Sequence, residues 1–113
     1  MRVSEAPESL RREIYGWIWR EVSRLPCVAR DHPAHSCGPP GPAHHVKTVG
    51  AGGRDWMNVV PLCYALHMMC HGAVWGWSQL RVEKEFQLDL EEEARKATEW
   101  VLTHGWGEED LAF

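Results

Sequence analysis

Four histidines and one asparagine carry the chemistry legible in this chain. His44 and His45 are adjacent, Asn58 stands 13 residues after His45, and His67 and His71 are four apart. On a helix, residues four apart project to one side, so His67 and His71 can share one ion. Neighbours on a strand point to opposite faces, so His44 and His45 can divide two tasks. Cleaving a phosphodiester needs a nucleophile, stabilisation of the charged transition state and help for the leaving oxygen. A bound divalent cation supplies the last two. A neutral imidazole, with a pKa near ~6.5, can take a proton from water. Its other ring nitrogen needs a partner that holds one tautomer, and the Asn58 side-chain carbonyl suits that role.

The elements that must position these groups follow from local pattern. Pro7 to Leu25 is expected to be a helix with Leu10, Ile14, Trp17, Ile18 and Leu25 on its apolar stripe, ended by Pro26. Tyr15 and Trp19 flank that stripe as core aromatics. Cys27 to Pro42 holds four of the seven prolines and is expected to be loop. Ala43–Val49 and Met57–Val60 are short strand candidates around a Gly50–Gly53 turn. Pro61 is expected to open a helix through His71, ended by Gly72. Leu62, Ala65, Leu66 and Met69 would form its core face, and Cys63, His67, Cys70 and His71 another. Ser78 caps a helix to Phe86. Asp89 with Glu92 forms a capping box for a last helix to His104, with Leu90, Ala94, Ala97 and Val101 as its stripe. The expected fold is therefore α+β, with one domain over residues 1–113.

The chain has 113 residues, 25% of them charged, and a net charge of −4. That size suits one small domain whose limited core gains from a metal. Residues 1–60 carry 8 Lys/Arg against 6 Asp/Glu, and residues 61–113 carry 4 against 10. A nucleic-acid face is thus expected on the N-terminal half, where Lys47 and Arg54 are the phosphate-contact candidates beside Arg20 and Arg24. Glu91–Glu93 and Glu108–Asp110 are expected as a solvated helix face and tail. No apolar run is long enough for a membrane span, and Met1–Leu10 has no apolar signal core. A cytoplasmic setting with reduced thiols is the expectation. Cys70-His71 is not a haem-attachment motif, because His67 stands where its first cysteine would be.

These residues resemble the HNH, or ββα-metal, endonucleases, especially short phage-type members with an Ala-His-His strand and an Asn-x-x-Pro-Leu-Cys helix entry. The resemblance covers about residues 25–90, with the ββα-metal core at about 43–72 between an N-terminal helix and two C-terminal helices. It implies a DNA phosphodiester hydrolase in which His44, His67 and His71 bind the ion. His45 would be the general base and Asn58 its orienter. A phage origin, and so a host-cell cytoplasm, is implied in the same way. The ion would be Mg²⁺, Mn²⁺, Ni²⁺ or Zn²⁺. Three imidazoles favour Zn²⁺, Ni²⁺ or Cu²⁺ over Mg²⁺.

The cysteines depart from that pattern. Family members pair Cys-x-x-Cys before the first strand with a second such pair, or Cys-x-x-His, at the helix start. Here Arg30 follows Cys27 and Leu66 follows Cys63 at the ligand spacing, and neither binds zinc. Three readings stand. Cys27, Cys37 and Cys63 with His32 or His35 rebuild a structural Zn²⁺ site; the cysteines pack as small apolar residues; or Cys27 and Cys63 form a disulfide. A different class of protein fits the same shell, a non-catalytic zinc-stabilised module that binds nucleic acid or protein.

Overall fold

The computed structural model describes residues 7–33, 35–47, 57–73 and 76–104, and has an α+β architecture. In chain order it contains α1 (Glu8–Ser23), β1 (His44–His45), β2 (Val59–Val60), α2 (Tyr64–Cys70), α3 (Gln79–Phe86) and α4 (Leu90–His104). Arg54, the Gly50–Gly53 turn, the Glu108–Asp110 run and Gly105 lie outside the described residues.

The two strands form an antiparallel pair with His44 opposite Val60 and His45 opposite Val59. Alternation sends Val59 and Val60 to opposite faces. Each is fully buried, in a different cluster. Val59 packs with Trp17, Ile18, Val22, Ala97 and Val101 from α1 and α4. Val60 packs with Leu66, Met69, Val82, Phe86 and Leu90 from α2, α3 and the start of α4. The hairpin is thus a layer between two helical layers. The expected stripe of α4 is buried along its whole length and serves both clusters, Leu90 and Ala94 in one and Ala97 and Val101 in the other. Leu10, on the expected stripe of α1, is instead exposed.

The strands are shorter than expected. Met57 takes a left-handed turn with φ 54°. The Asn58 carbonyl accepts from Val46 N–H at 2.9 Å, which closes the ladder one step beyond β1. The outer edge of β1 is held from α1. Trp19 Nε1 donates to the Ala43 carbonyl at 3.2 Å, and Ala43 N–H donates to Ser23 Oγ at 2.8 Å. A buried indole N–H needs an acceptor, so Trp19 serves as a clamp on β1 as well as packing beside the core.

The expected start of α2 at Pro61 is corrected to Tyr64, with Cys63 as N-cap. Tertiary hydrogen bonds keep the intervening residues extended. The Pro61 carbonyl accepts from Val28 N–H at 3.1 Å, Tyr64 N–H donates to the Pro39 carbonyl at 3.0 Å, and Cys63 bridges to Pro40. Leu66 and Met69 are buried as expected, but Ala65 faces solvent. The C-terminus follows local chemistry. Gly72 N–H donates to the Met69 carbonyl and Ala73 N–H to the Met68 carbonyl, a Schellman pair that needs the positive φ of Gly72, 75°.

Ser78 Oγ accepts from Arg81 N–H, the expected cap of α3. Asp89 Oδ1 accepts from Glu92 N–H, but the Glu92 carboxylate turns to Arg95 rather than back to Asp89. Glu83 instead accepts from Leu90 N–H, at the first residue of α4. Among the described residues, no helix is long and apolar enough to cross a membrane.

Leu66 is fully buried beside His67. Leu66→Ala is expected to cost about 2–5 kcal/mol, through lost transfer energy and the cavity left behind. Urea denaturation measures this, and a loss below about 1 kcal/mol contradicts the packing described.

Candidate metal centre

Three histidine rings meet between β1 and α2. The ring centroids of His44 and His67 are 5.1 Å apart, those of His44 and His71 5.2 Å, and those of His67 and His71 4.8 Å. One donor atom from each lies within 4.8 Å of the others, so the set could hold a metal ion. His67 Nε2 and His71 Nε2 are 3.0 Å apart. Two donors on one ion at ~2.05 Å stand about 2.9 Å apart at a right angle and about 3.3 Å apart in a tetrahedron, so this spacing fits a shared ion. His44 and His67 are buried, while His71 is exposed at the rim. Among the described residues, the buried Nδ1 of His44 has no hydrogen-bond partner. Such an orphaned nitrogen is costly, and a cation is one group that would satisfy it.

Burial favours the neutral form of His44 and His67. It pushes the His44 pKa down to about 4, helped by the nearby charges of His67, His71 and His45 and opposed by a bond to Gln79. His67 is lowered for the same main reason, with the Pro42 carbonyl acting against it. A neutral imidazole is the form that binds metal. The shift also sets a pH dependence of stability. Because His44 titrates lower in the fold than in the unfolded chain, unfolding takes up a proton as pH falls. Its contribution is whole above about pH 6.5 and is lost toward about pH 4, on the order of 3 kcal/mol. Metal-stripped protein is expected to lose this stability in urea titrations between about pH 7.5 and 4.5. An unchanged slope in His44→Gln contradicts the assignment.

His45 is half-buried and lies outside the three-ring group, though close enough for its charge to act on His44 and His67. Asn58 does not take the place expected of it. Its Oδ1 accepts from Lys47 N–H and its Nδ2 donates to the Lys47 carbonyl, both at 2.9 Å. It therefore fixes the backbone two residues beyond His45 rather than presenting its carbonyl to the His45 ring. The exposed Lys47 side chain extends from this clamped peptide.

A second group gathers Cys27, His35, Cys37 and Cys63, with donor atoms again within 4.8 Å of one another. His35 Nε2 is 3.3 Å from Cys37 Sγ and 3.5 Å from Cys63 Sγ. Of the two histidines open in sequence, it is His35 that joins the cysteines, not His32. Turns with His32 N–H on the Ala29 carbonyl and His35 N–H on the His32 carbonyl carry the chain round. Both rings pack edge-on against Phe86, at 5.4 Å. All four cysteines are free thiols. Burial raises the Cys27 pKa to about 11 and that of Cys70 to about 12, so both stay protonated without a metal. Cys70 belongs to neither group and packs against the core.

The two groups share α2. Cys63 caps it, and the Cys63 carbonyl accepts from His67 N–H at 3.0 Å. Gly41 lies against this start, where an added Cβ would come within 3.0 Å of Tyr64 Cα. Sequence reasoning missed Gln79 and the Trp19–Ser23 clamp. Gln79 offers no local signal at all, whereas the need of an indole N–H for a partner could have marked Trp19. No family model matches the chain, and neither a curated protein nor a solved structure matches it.

Proposed function

We propose that this chain is a metal-dependent endonuclease of the HNH type acting on DNA. The observation that carries the reading is the convergence of His44, His67 and His71, with the buried Nδ1 of His44 unpartnered, beside a fourth histidine outside the group. His44, His67 and His71 would hold the divalent ion, which when bound supplies Lewis-acid stabilisation to the departing 3′-oxygen. His45 takes a proton from the attacking water. The water oxygen bonds to phosphorus, the bond from phosphorus to the 3′-oxygen breaks, and that oxygen gains a proton from solvent. The product is a 5′-phosphate end. Asn58 holds the segment that bears His45, and Lys47 and Arg54 would contact phosphate. Cys27, His35, Cys37 and Cys63 would hold a structural Zn²⁺.

Supercoiled plasmid incubated with Mg²⁺, Mn²⁺, Ni²⁺ or Zn²⁺ is the test. Nicked or linear product with 5′-phosphate ends is expected with at least one ion. The second reading, a zinc-stabilised binding module, is favoured by the cysteine group, which needs no reaction to explain it. Binding of DNA or protein without cleavage under any of these ions decides for the module.

A further inference from the structure

His44 makes one contact that the proposed reaction leaves unused. Its Nε2 stands 2.6 Å from Oε1 of Gln79, 35 positions along the chain. Gln79 is the first residue of α3. That helix is capped by Ser78 and seated in the core through Val82 and Phe86, so the amide is carried on a rigid element.

An amide oxygen can only accept, so the hydrogen of this bond sits on Nε2. A neutral imidazole has one N–H, which leaves Nδ1 with a bare electron pair. Nδ1 of His44 is buried without a hydrogen-bond partner. The opposite orientation of the amide would donate to Nε2 and move the ring hydrogen to Nδ1. Nδ1 would then be a buried donor with no acceptor, and no ring nitrogen would remain for an ion. Nor does the spacing suit Gln79 as a ligand in its own right. Its 2.6 Å separation from Nε2 is shorter than the ~2.9 Å between two donors at a right angle on one ion.

We propose that Gln79 is a positioning residue of the histidine centre. Its carboxamide oxygen holds His44 as the Nε2–H tautomer and so presents Nδ1 as the metal-binding nitrogen. The proposal rests on reading the three histidines as a metal centre, and not on nuclease activity. Hydrogen bonds of this kind, from a ligand histidine to an outer partner, tune metal affinity about 10–100-fold.

The test uses the full chain labelled with ¹⁵N at histidine, first stripped of metal and then titrated with zinc. The His44 signals are assigned by their loss in His44→Gln. The wild-type spectrum is expected to show Nε2–H and a bare Nδ1. Gln79→Leu is expected to mix the tautomers. It should also weaken about 10–100-fold the zinc-binding step that His71→Ala removes. Gln79→Glu keeps an acceptor oxygen and is expected to restore the tautomer and most of the affinity. An Nδ1–H ring in the wild type overturns the proposal, as does a Gln79→Leu protein with unchanged tautomer and affinity. If Gln79→Leu does not fold, the wild-type spectrum decides alone. A protein with the expected tautomer and zinc step that cleaves no DNA removes the nuclease reading and leaves this one. Absence of any His71-dependent zinc step overturns the metal centre and the role of Gln79 together.

Discussion

His45→Ala is expected to lower plasmid cleavage by about 10²–10⁴-fold while leaving metal binding at the histidine centre intact, because that is the usual contribution of a positioned general base. The expectation follows from where the two adjacent histidines go. His44 is buried against His67 and His71, whereas His45 is half-buried outside their group. Removing His45 would take away the proposed proton acceptor without touching a donor atom of the three-ring set. His71→Ala is expected to behave differently. Its ring is exposed and its Nε2 lies 3.0 Å from that of His67, so its loss opens the shared site without leaving a large buried cavity. Cleavage and zinc at that centre should then disappear together, with the fold retained by circular dichroism. A fully active His45→Ala protein sinks the assignment of the base, whatever the metal content.

Cys37→Ala is expected to destabilise the zinc-loaded protein strongly and the metal-stripped protein hardly at all. Cys37 is exposed, and truncating an exposed side chain ordinarily changes stability by no more than about 0.5 kcal/mol. If Cys37 completes a site with Cys27, His35 and Cys63, the same change removes a ligand. A metal present at about a thousand times its dissociation constant stabilises the fold by about 4 kcal/mol. In a domain of this size each kcal/mol moves Tm by roughly 4–8 °C, so a fall of about 15 °C or more is expected for the loaded protein. Calorimetry with and without a chelator measures both arms. Equal Tm values for wild type and Cys37→Ala in the presence of zinc mean that the cysteines only pack. Because Cys63 caps the helix that carries His67 and His71, loss of this site is also expected to weaken metal binding at the histidines.

The sequence by itself determined what local chemistry controls. Ser78 and Asp89 start helices because their oxygens reach N–H groups three residues on. Gly72 ends one because it accepts a positive φ. The apolar stripe of α4 and the opposite faces of Val59 and Val60 follow from the helical and extended repeats. The pairing of His67 with His71 follows from the helical repeat as well.

Tertiary structure decided which distant groups meet. His44 reaches His67 only because β1 is clamped by Trp19 and Ser23 on one side and paired with β2 on the other. The start of α2 moved from Pro61 to Tyr64 because Val28 and Pro39 take hydrogen bonds that a helix would have claimed, beside the Pro40–Cys63 bridge. His32 and His35 are indistinguishable as zinc-ligand candidates in the sequence. Both rings pack against Phe86, and the turns before Cys37 brought only that of His35 to the thiols. Asn58 turned to the Lys47 backbone, and Gln79 arrived at His44 from another helix. Propensity and capping act over a few residues, whereas these contacts join positions 11 to 35 apart. They are set by how buried faces pack and by which buried polar atoms must find partners.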